Sequence, residues 1–63
     1  MENKIKELRI SKGMTQEELA LKSGVARTVL SQLENNSRPV VTSETMLKIS
    51  RALDSPLEKI FLP

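Results

Sequence analysis

The sequence predicts an all-α domain built from five short helices. Glycine occurs twice and proline three times in 63 residues, and these residues separate stretches that are rich in helix-forming residues. Side chains that can cap a first helical turn recur at the starts of these stretches. No stretch alternates strictly between apolar and polar residues, as a half-buried strand would. A chain of this length is expected to be one domain, which we assign to residues 1–63.

Composition narrows the possible classes of function. The chain has no Cys and no His, so it offers no thiolate metal site and lacks the commonest general base and metal ligand. We therefore expect no enzyme, no metal and no cofactor. A net charge of +2 permits binding to a polyanion without requiring it. No signal peptide, membrane-spanning run or lipidation motif is recognisable, and we expect a cytoplasmic protein.

The first helix is predicted over residues 3–12. Ile5 and Leu8 are three residues apart among charged residues, as on the buried face of an amphipathic helix. Asn3 can cap its start, and Gly13 stands where helices commonly end.

The second helix is predicted over residues 16–23. The run that starts at Thr15 has the form of a capping box, in which the Thr15 hydroxyl accepts from the Glu18 N–H and the Glu18 carboxylate accepts from the Thr15 N–H. Leu19 and Ala20 are expected to face inward.

The third helix is predicted over residues 27–35, only about three residues after the second. Residues 35 and 36 are both Asn, which tolerates the left-handed conformation of a helix C-cap. A fourth helix follows Thr42 and extends to about Leu53, with Met46, Ile49 and Leu53 on one face.

The fifth helix is predicted from the sequence SPLE, residues 55–58. Ser55 is a capping residue, Pro56 suits the first helical position, and Glu58 suits the first turn. This short helix is expected to extend to about Phe61.

Residues 15–34, TQEELALKSGVARTVLSQLE, have the pattern of a helix-turn-helix. Ala20 is small where the two helices would cross, and Gly24 permits a positive φ in the turn. Val25 is expected to fill the turn, and Leu30 to anchor the second helix of the pair to the core. All of these requirements are met at the right spacing.

The outer face of the third helix carries side chains suited to reading bases. On a helical wheel, Ala26, Leu30 and Leu33 lie opposite a face of Arg, Thr, Ser, Gln and Asn. That face has no Glu, Asp or Lys, although a solvated helix face is usually rich in them. Arg pairs with guanine, Gln with adenine, and Ser or Thr with either. We therefore predict that the DNA bases are contacted by Arg27, Thr28, Ser31 and Gln32.

The chain resembles the Cro/CI-type helix-turn-helix family, also called the xenobiotic-response-element (XRE) family, to which the phage repressors belong. The resemblance lies in IKELRISKGMTQEELALKSGV (5–25), LSQLENN (30–36) and ETMLKISRALDSPLEKIF (44–61), which together are nearly the whole chain. It implies a five-helix lambda-repressor-like domain that inserts its third helix into the major groove of double-stranded DNA. The chain departs from the family pattern at Ala26, where a capping Ser or Thr is usual.

The resemblance also implies roles for residues outside the predicted base-reading face. Gln16 would contact a phosphate and brace the third helix, and Arg9 and Glu34 would form a buried ion pair. Asn35 and the loop after it, including Ser37, would grip the DNA backbone.

Two more residues are candidates for contact with the DNA backbone because of their own chemistry and position. Thr15 stands beside the free N–H groups at the start of the second helix, although capping is its main expected role. Arg38 lies in a polar loop, and it fits a DNA clamp and an ordinary exposed residue equally well.

Specific binding to DNA is expected to need a homodimer, since one recognition helix reads only a few base pairs. Two such helices would lie about 34 Å apart on a two-fold symmetric operator. The apolar end of the chain would supply the interface, or else only cover the chain's own core. The candidate interface residues are Leu57, Ile60, Phe61 and Leu62.

The predicted function is a transcriptional regulator that represses by occupying its operator. Two alternatives stay open. The same module serves in restriction–modification controllers and antitoxins, and a domain of this fold could bind proteins instead of DNA. The polar face of the third helix argues against protein binding, which favours aromatic and aliphatic anchors.

Overall fold

The computed structural model describes residues 3–35, 37 and 41–61. In these residues the chain forms α1 (Ile5–Ser11), α2 (Gln16–Ser23), α3 (Arg27–Glu34), α4 (Ser43–Leu53) and α5 (Leu57–Phe61). No strand occurs in these ranges, so the predicted all-α fold of five helices is confirmed.

The starts of α2 and α4 are capped by threonine hydroxyl groups, and the cap of α2 is the predicted capping box. Thr15 Oγ1 accepts from the Glu18 N–H at 3.1 Å, and Glu18 Oε1 accepts from the Thr15 N–H at 3.0 Å. Thr42 Oγ1 accepts from the Thr45 N–H at 3.2 Å. These bonds satisfy amide groups that have no partner within the helix.

The ends of three helices use left-handed residues. Gly13 follows α1 with φ 69°, and Gly24 follows α2 with φ 76°. Asp54 follows α4 with φ 50°, a conformation that its residue type did not predict. Asn35, the first of the two residues predicted to supply a left-handed cap for α3, is not left-handed, because its φ is −93°. The second, Asn36, lies outside the described residues.

The start of α5 lies one residue later than predicted. The helix begins at Leu57, and the carbonyl of Pro56 accepts from the Lys59 N–H at 3.0 Å. The Ser55 hydroxyl donates back to the Leu53 carbonyl at 3.1 Å, which links it to the end of α4.

The core takes side chains from all five helices. Helix α2 packs against α3 and α4, α1 packs against α3, and α5 packs against α4. Each buried Leu or Ile stabilises the fold by about 1.5–3 kcal/mol. Among the described residues, the fully buried large side chains are Ile5, Leu19, Leu30, Leu33, Ile49, Leu53 and Ile60.

The burial of Ile60 corrects the predicted dimer interface. Its side chain is 0% exposed within a single chain, so it has no surface to offer a partner. Leu57 and Phe61 are half-buried and keep some exposed surface, whereas Leu62 lies outside the described residues. None of the helices in the described ranges is long and apolar enough to span a bilayer.

Candidate nucleic-acid interface

The turn between α2 and α3 has the predicted construction. The N–H of Gly24 donates to the Ala20 carbonyl at 2.9 Å, and the left-handed Gly24 redirects the chain. Val25 is buried in the turn, and its N–H donates to Ser23 Oγ at 3.2 Å. Leu30 is fully buried on the inner side of α3. These contacts fix α3 against α2 and determine which side of α3 faces outward.

Five polar side chains together form one surface, which we call the recognition face. They line an open depression of about 320 Å³. The four predicted base-contacting residues are therefore brought together, and Gln16 joins them from the start of α2. The lining set holds one cation and no carboxylate: Gln16, Arg27, Thr28, Ser31 and Gln32.

The recognition face is accessible to a large ligand. Arg27 and Thr28 are exposed, while Ser31 and Gln32 are half-buried beside them. A helix with its side chains is about 10–12 Å across, and the major groove of B-DNA is about 12 Å wide. The face thus presents donors and acceptors for base edges on an element that fits this groove.

A buried polar network holds the C-terminal end of α3. Arg9 Nε donates to Glu34 Oε2 at 2.9 Å and Arg9 Nη2 donates to Glu34 Oε1 at 3.1 Å, a two-bond pair of fixed geometry. The side chains are 11% and 2% exposed. Arg9 Nη1 also donates to the Met14 carbonyl at 2.7 Å. The pair therefore ties α1 and the loop before α2 to α3.

Gln16 belongs to this network. Its Nε2 donates to Glu34 Oε1 at 3.2 Å, while the same side chain lines the recognition face. Gln16 thus links the start of α2 to the end of α3.

The predicted DNA-backbone residues lie at different places around α3. Thr15 is exposed, and its hydroxyl caps α2. Asn35 is exposed directly after α3. The exposed Ser37 donates to the Gln32 carbonyl through its N–H at 2.9 Å and its hydroxyl at 3.2 Å, which closes the end of α3. Arg38 lies outside the described residues.

Ala26 lies at the capping position that the family resemblance implied. It is the N-cap of α3, with φ −58° and ψ 139°, and it is exposed although the wheel placed it on the apolar side. One contact was missed by the sequence reasoning. Asn3 Nδ2 donates to the Leu33 carbonyl at 2.8 Å, thirty residues away. Its position before an apolar helix pointed to a local cap, and no sequence signal pointed to α3.

The chain matches a known protein family over most of its length. The sequence profile of the helix-turn-helix family matches residues 5–60, from the first residue of α1 to the last but one of α5. A comparison with curated proteins found no match. No group of three or more possible metal-ligating side chains occurs in the part of the chain that the structure describes.

Proposed function

Because this chain belongs to the helix-turn-helix family, of the Cro/CI type, we propose that it represses transcription as a homodimer bound to a two-fold symmetric operator. The family binds DNA and regulates transcription, and it is generally non-enzymatic. The observation that carries the proposal is the recognition face. It combines one arginine with neutral polar side chains. Most of it lies on α3, which is held in place by the buried Leu30 and by the Arg9–Glu34 pair.

The proposed readout uses the chemistry of each side chain on this face. Arg27 would donate to O6 and N7 of a guanine, and Gln32 would bond N6 and N7 of an adenine. Thr28 and Ser31 would each donate to or accept from a neighbouring base. Gln16 and the free N–H groups at the start of α2 would meet a phosphate.

The proposed dimer places two copies of α3 about one turn of DNA apart. Leu57 and Phe61 keep exposed apolar surface on α5, and with Leu62 they are our candidates for the contact between the chains. Occupancy of the operator would then exclude RNA polymerase. We propose the cytoplasm as its location, because a regulator of this kind acts where the DNA is.

Selection of bound sites from random duplex DNA tests this function. We expect recovered sites to contain two half-sites related by a two-fold axis, with centres about 10–10.5 base pairs apart or a multiple of that spacing. The matched variants are Arg27→Gln, on the recognition face, and Arg51→Gln, at an exposed position of α4 outside it.

Both variants replace one arginine with glutamine, so they change the net charge equally. Arg27→Gln should change the selected base at one position of each half-site, whereas Arg51→Gln should recover the original site. Recovery of no enriched sequence by the unaltered chain would contradict the proposed function. Recovery of the same site by Arg27→Gln would show that Arg27 does not contact a base.

A further inference from the structure

Residues 3 and 4 make hydrogen bonds through the Asn3 side chain and the Lys4 backbone, and we call this set of bonds the polar clasp. Asn3 Nδ2 donates to the Leu33 carbonyl at 2.8 Å, and Asn3 Oδ1 accepts from the Ile5 N–H at 3.1 Å. The Lys4 N–H donates to the Ile60 carbonyl at 2.7 Å. One short segment therefore contacts the last turn of α3 and the last turn of α5.

The carbonyl groups that the clasp binds lie at helix ends. The last four carbonyls of a helix have no partner in the helix itself, and Leu33 and Ile60 are each the last but one residue of theirs. Leu33 directly precedes Glu34, which receives bonds from Arg9 and Gln16. The C-terminal end of α3 is thus held from the start of α1 as well as through the Glu34 network.

We propose that Asn3 is a positioning residue for DNA recognition. Its amide holds the end of α3 and so fixes the depth and rotation at which the recognition face meets the base edges. This inference rests on the proposed function, because it takes α3 to be the element that reads bases. The contact is made by a partly buried side chain to a main-chain atom, so it acts on the helix as a whole and not on one side chain.

The inference depends on a physical difference: the strength of a hydrogen bond to a base edge depends more steeply on distance than the attraction between a cation and a phosphate. A hydrogen bond to a base edge is confined to donor–acceptor distances of about 2.7–3.2 Å and weakens steeply when bent. The attraction between a cation and a phosphate falls only with the inverse of distance. A small shift of α3 therefore weakens sequence-specific binding, while binding to arbitrary duplex DNA is nearly unaffected.

Asn3→Asp removes the bond to α3. The substitution keeps an oxygen that can accept from the Ile5 N–H, removes the donor to the Leu33 carbonyl and places a carboxylate beside that carbonyl. It also lowers the net charge by one, which weakens all DNA binding. Lys4→Gln is the matched control, because it lowers the charge equally at the adjacent exposed position and keeps both the Asn3 amide and the Lys4 backbone bond.

The measurement is the ratio of affinities for a duplex selected by the unaltered chain and for a random duplex, determined by fluorescence anisotropy at one salt concentration. An unfolded fraction lowers both affinities by the same factor, so the ratio does not respond to stability alone. We expect Asn3→Asp to lower this ratio by about 5- to 10-fold, the equivalent of about one hydrogen bond, and Lys4→Gln to leave it unchanged.

Two results would overturn the inference in distinguishable ways. If the ratios of Asn3→Asp and Lys4→Gln agree within experimental error, the Asn3 amide does not position α3, and the proposed function is unaffected. If the unaltered chain itself shows no preference for the selected duplex, the proposed function fails, and the role of Asn3 in recognition fails with it.

Discussion

Glu34→Gln is the substitution for which the structure makes the sharpest prediction of stability. The Glu34 carboxylate is 2% exposed and accepts from two nitrogens of Arg9 and from Gln16. Gln keeps the shape of the side chain but removes its charge, and it turns one acceptor into an NH₂ group that faces donors. The guanidinium of Arg9, 11% exposed, then lacks a counter-charge.

The expected cost follows from these contacts. One lost charge-assisted hydrogen bond costs about 1.5–3 kcal/mol, and removing one partner of a buried pair costs about 3–5 kcal/mol. We expect Glu34→Gln to lower the free energy of unfolding by about 2–4 kcal/mol, since Gln retains one acceptor. A domain of this size has about 3–9 kcal/mol in total, at about 0.05–0.15 kcal/mol per residue. The variant should therefore lose a large part of its stability.

The assay is equilibrium unfolding in urea followed by circular dichroism, with Glu44→Gln as the matched control. Glu44 pairs with Lys48 at 3.4 Å, and its side chain is 79% exposed. An exposed pair of this spacing contributes about 0.3–0.5 kcal/mol. Equal midpoints for the two variants would refute the reasoning, because burial of the Arg9–Glu34 pair would then have no energetic consequence.

Three further predictions concern other parts of the molecule. Asp54→Gly should raise the free energy of unfolding by about 0.5–1 kcal/mol, because Asp54 has φ 50° and Gly adopts this conformation without steric cost; a lower urea midpoint would contradict it. Gln32→Ala should weaken binding to the selected operator by about 1–3 kcal/mol and relax the base preference of the protein at one position. A gel shift on matched and mismatched duplexes measures both effects, and equal losses on selected and random DNA would exclude a base contact. Leu57→Glu should convert the proposed dimer to a monomer in sedimentation velocity, since it places a charge on exposed apolar surface of α5; a dimer that persists in this variant would place the interface elsewhere.

The local signals in the sequence predicted most of the helix boundaries. The capping box of α2 and the left-handed Gly13 and Gly24 are each determined within about four residues, so the sequence pattern was sufficient. The left-handed Asp54 was not predictable in this way, because Asp adopts that conformation only where the surrounding fold requires it. Asn35 shows the converse, because Asn permits a left-handed conformation but does not impose one.

The sequence predicted the features of the site that arise within one helix better than the contacts between residues distant in the sequence. The recognition face follows from helical periodicity, which places Arg27 and Thr28 outward once Leu30 is buried. The Arg9–Glu34 pair was reached only through family resemblance, and the contact from Asn3 to Leu33 was not reached at all. Both join residues that are distant in the sequence, and no periodic pattern carries that information.

The requirement for an exposed reading surface explains why polar contacts hold α3 in place. For the proposed readout, α3 must leave Arg27, Thr28 and Gln32 accessible, so only its opposite face can be buried. Leu30 and Leu33 supply that burial, but the hydrophobic effect that drives it is non-directional. Hydrogen bonds have narrow distance and angle limits. The bonds to Glu34 and to the Leu33 carbonyl therefore add a directional constraint to this packing, at the end of the helix where Gln32 is proposed to meet a base.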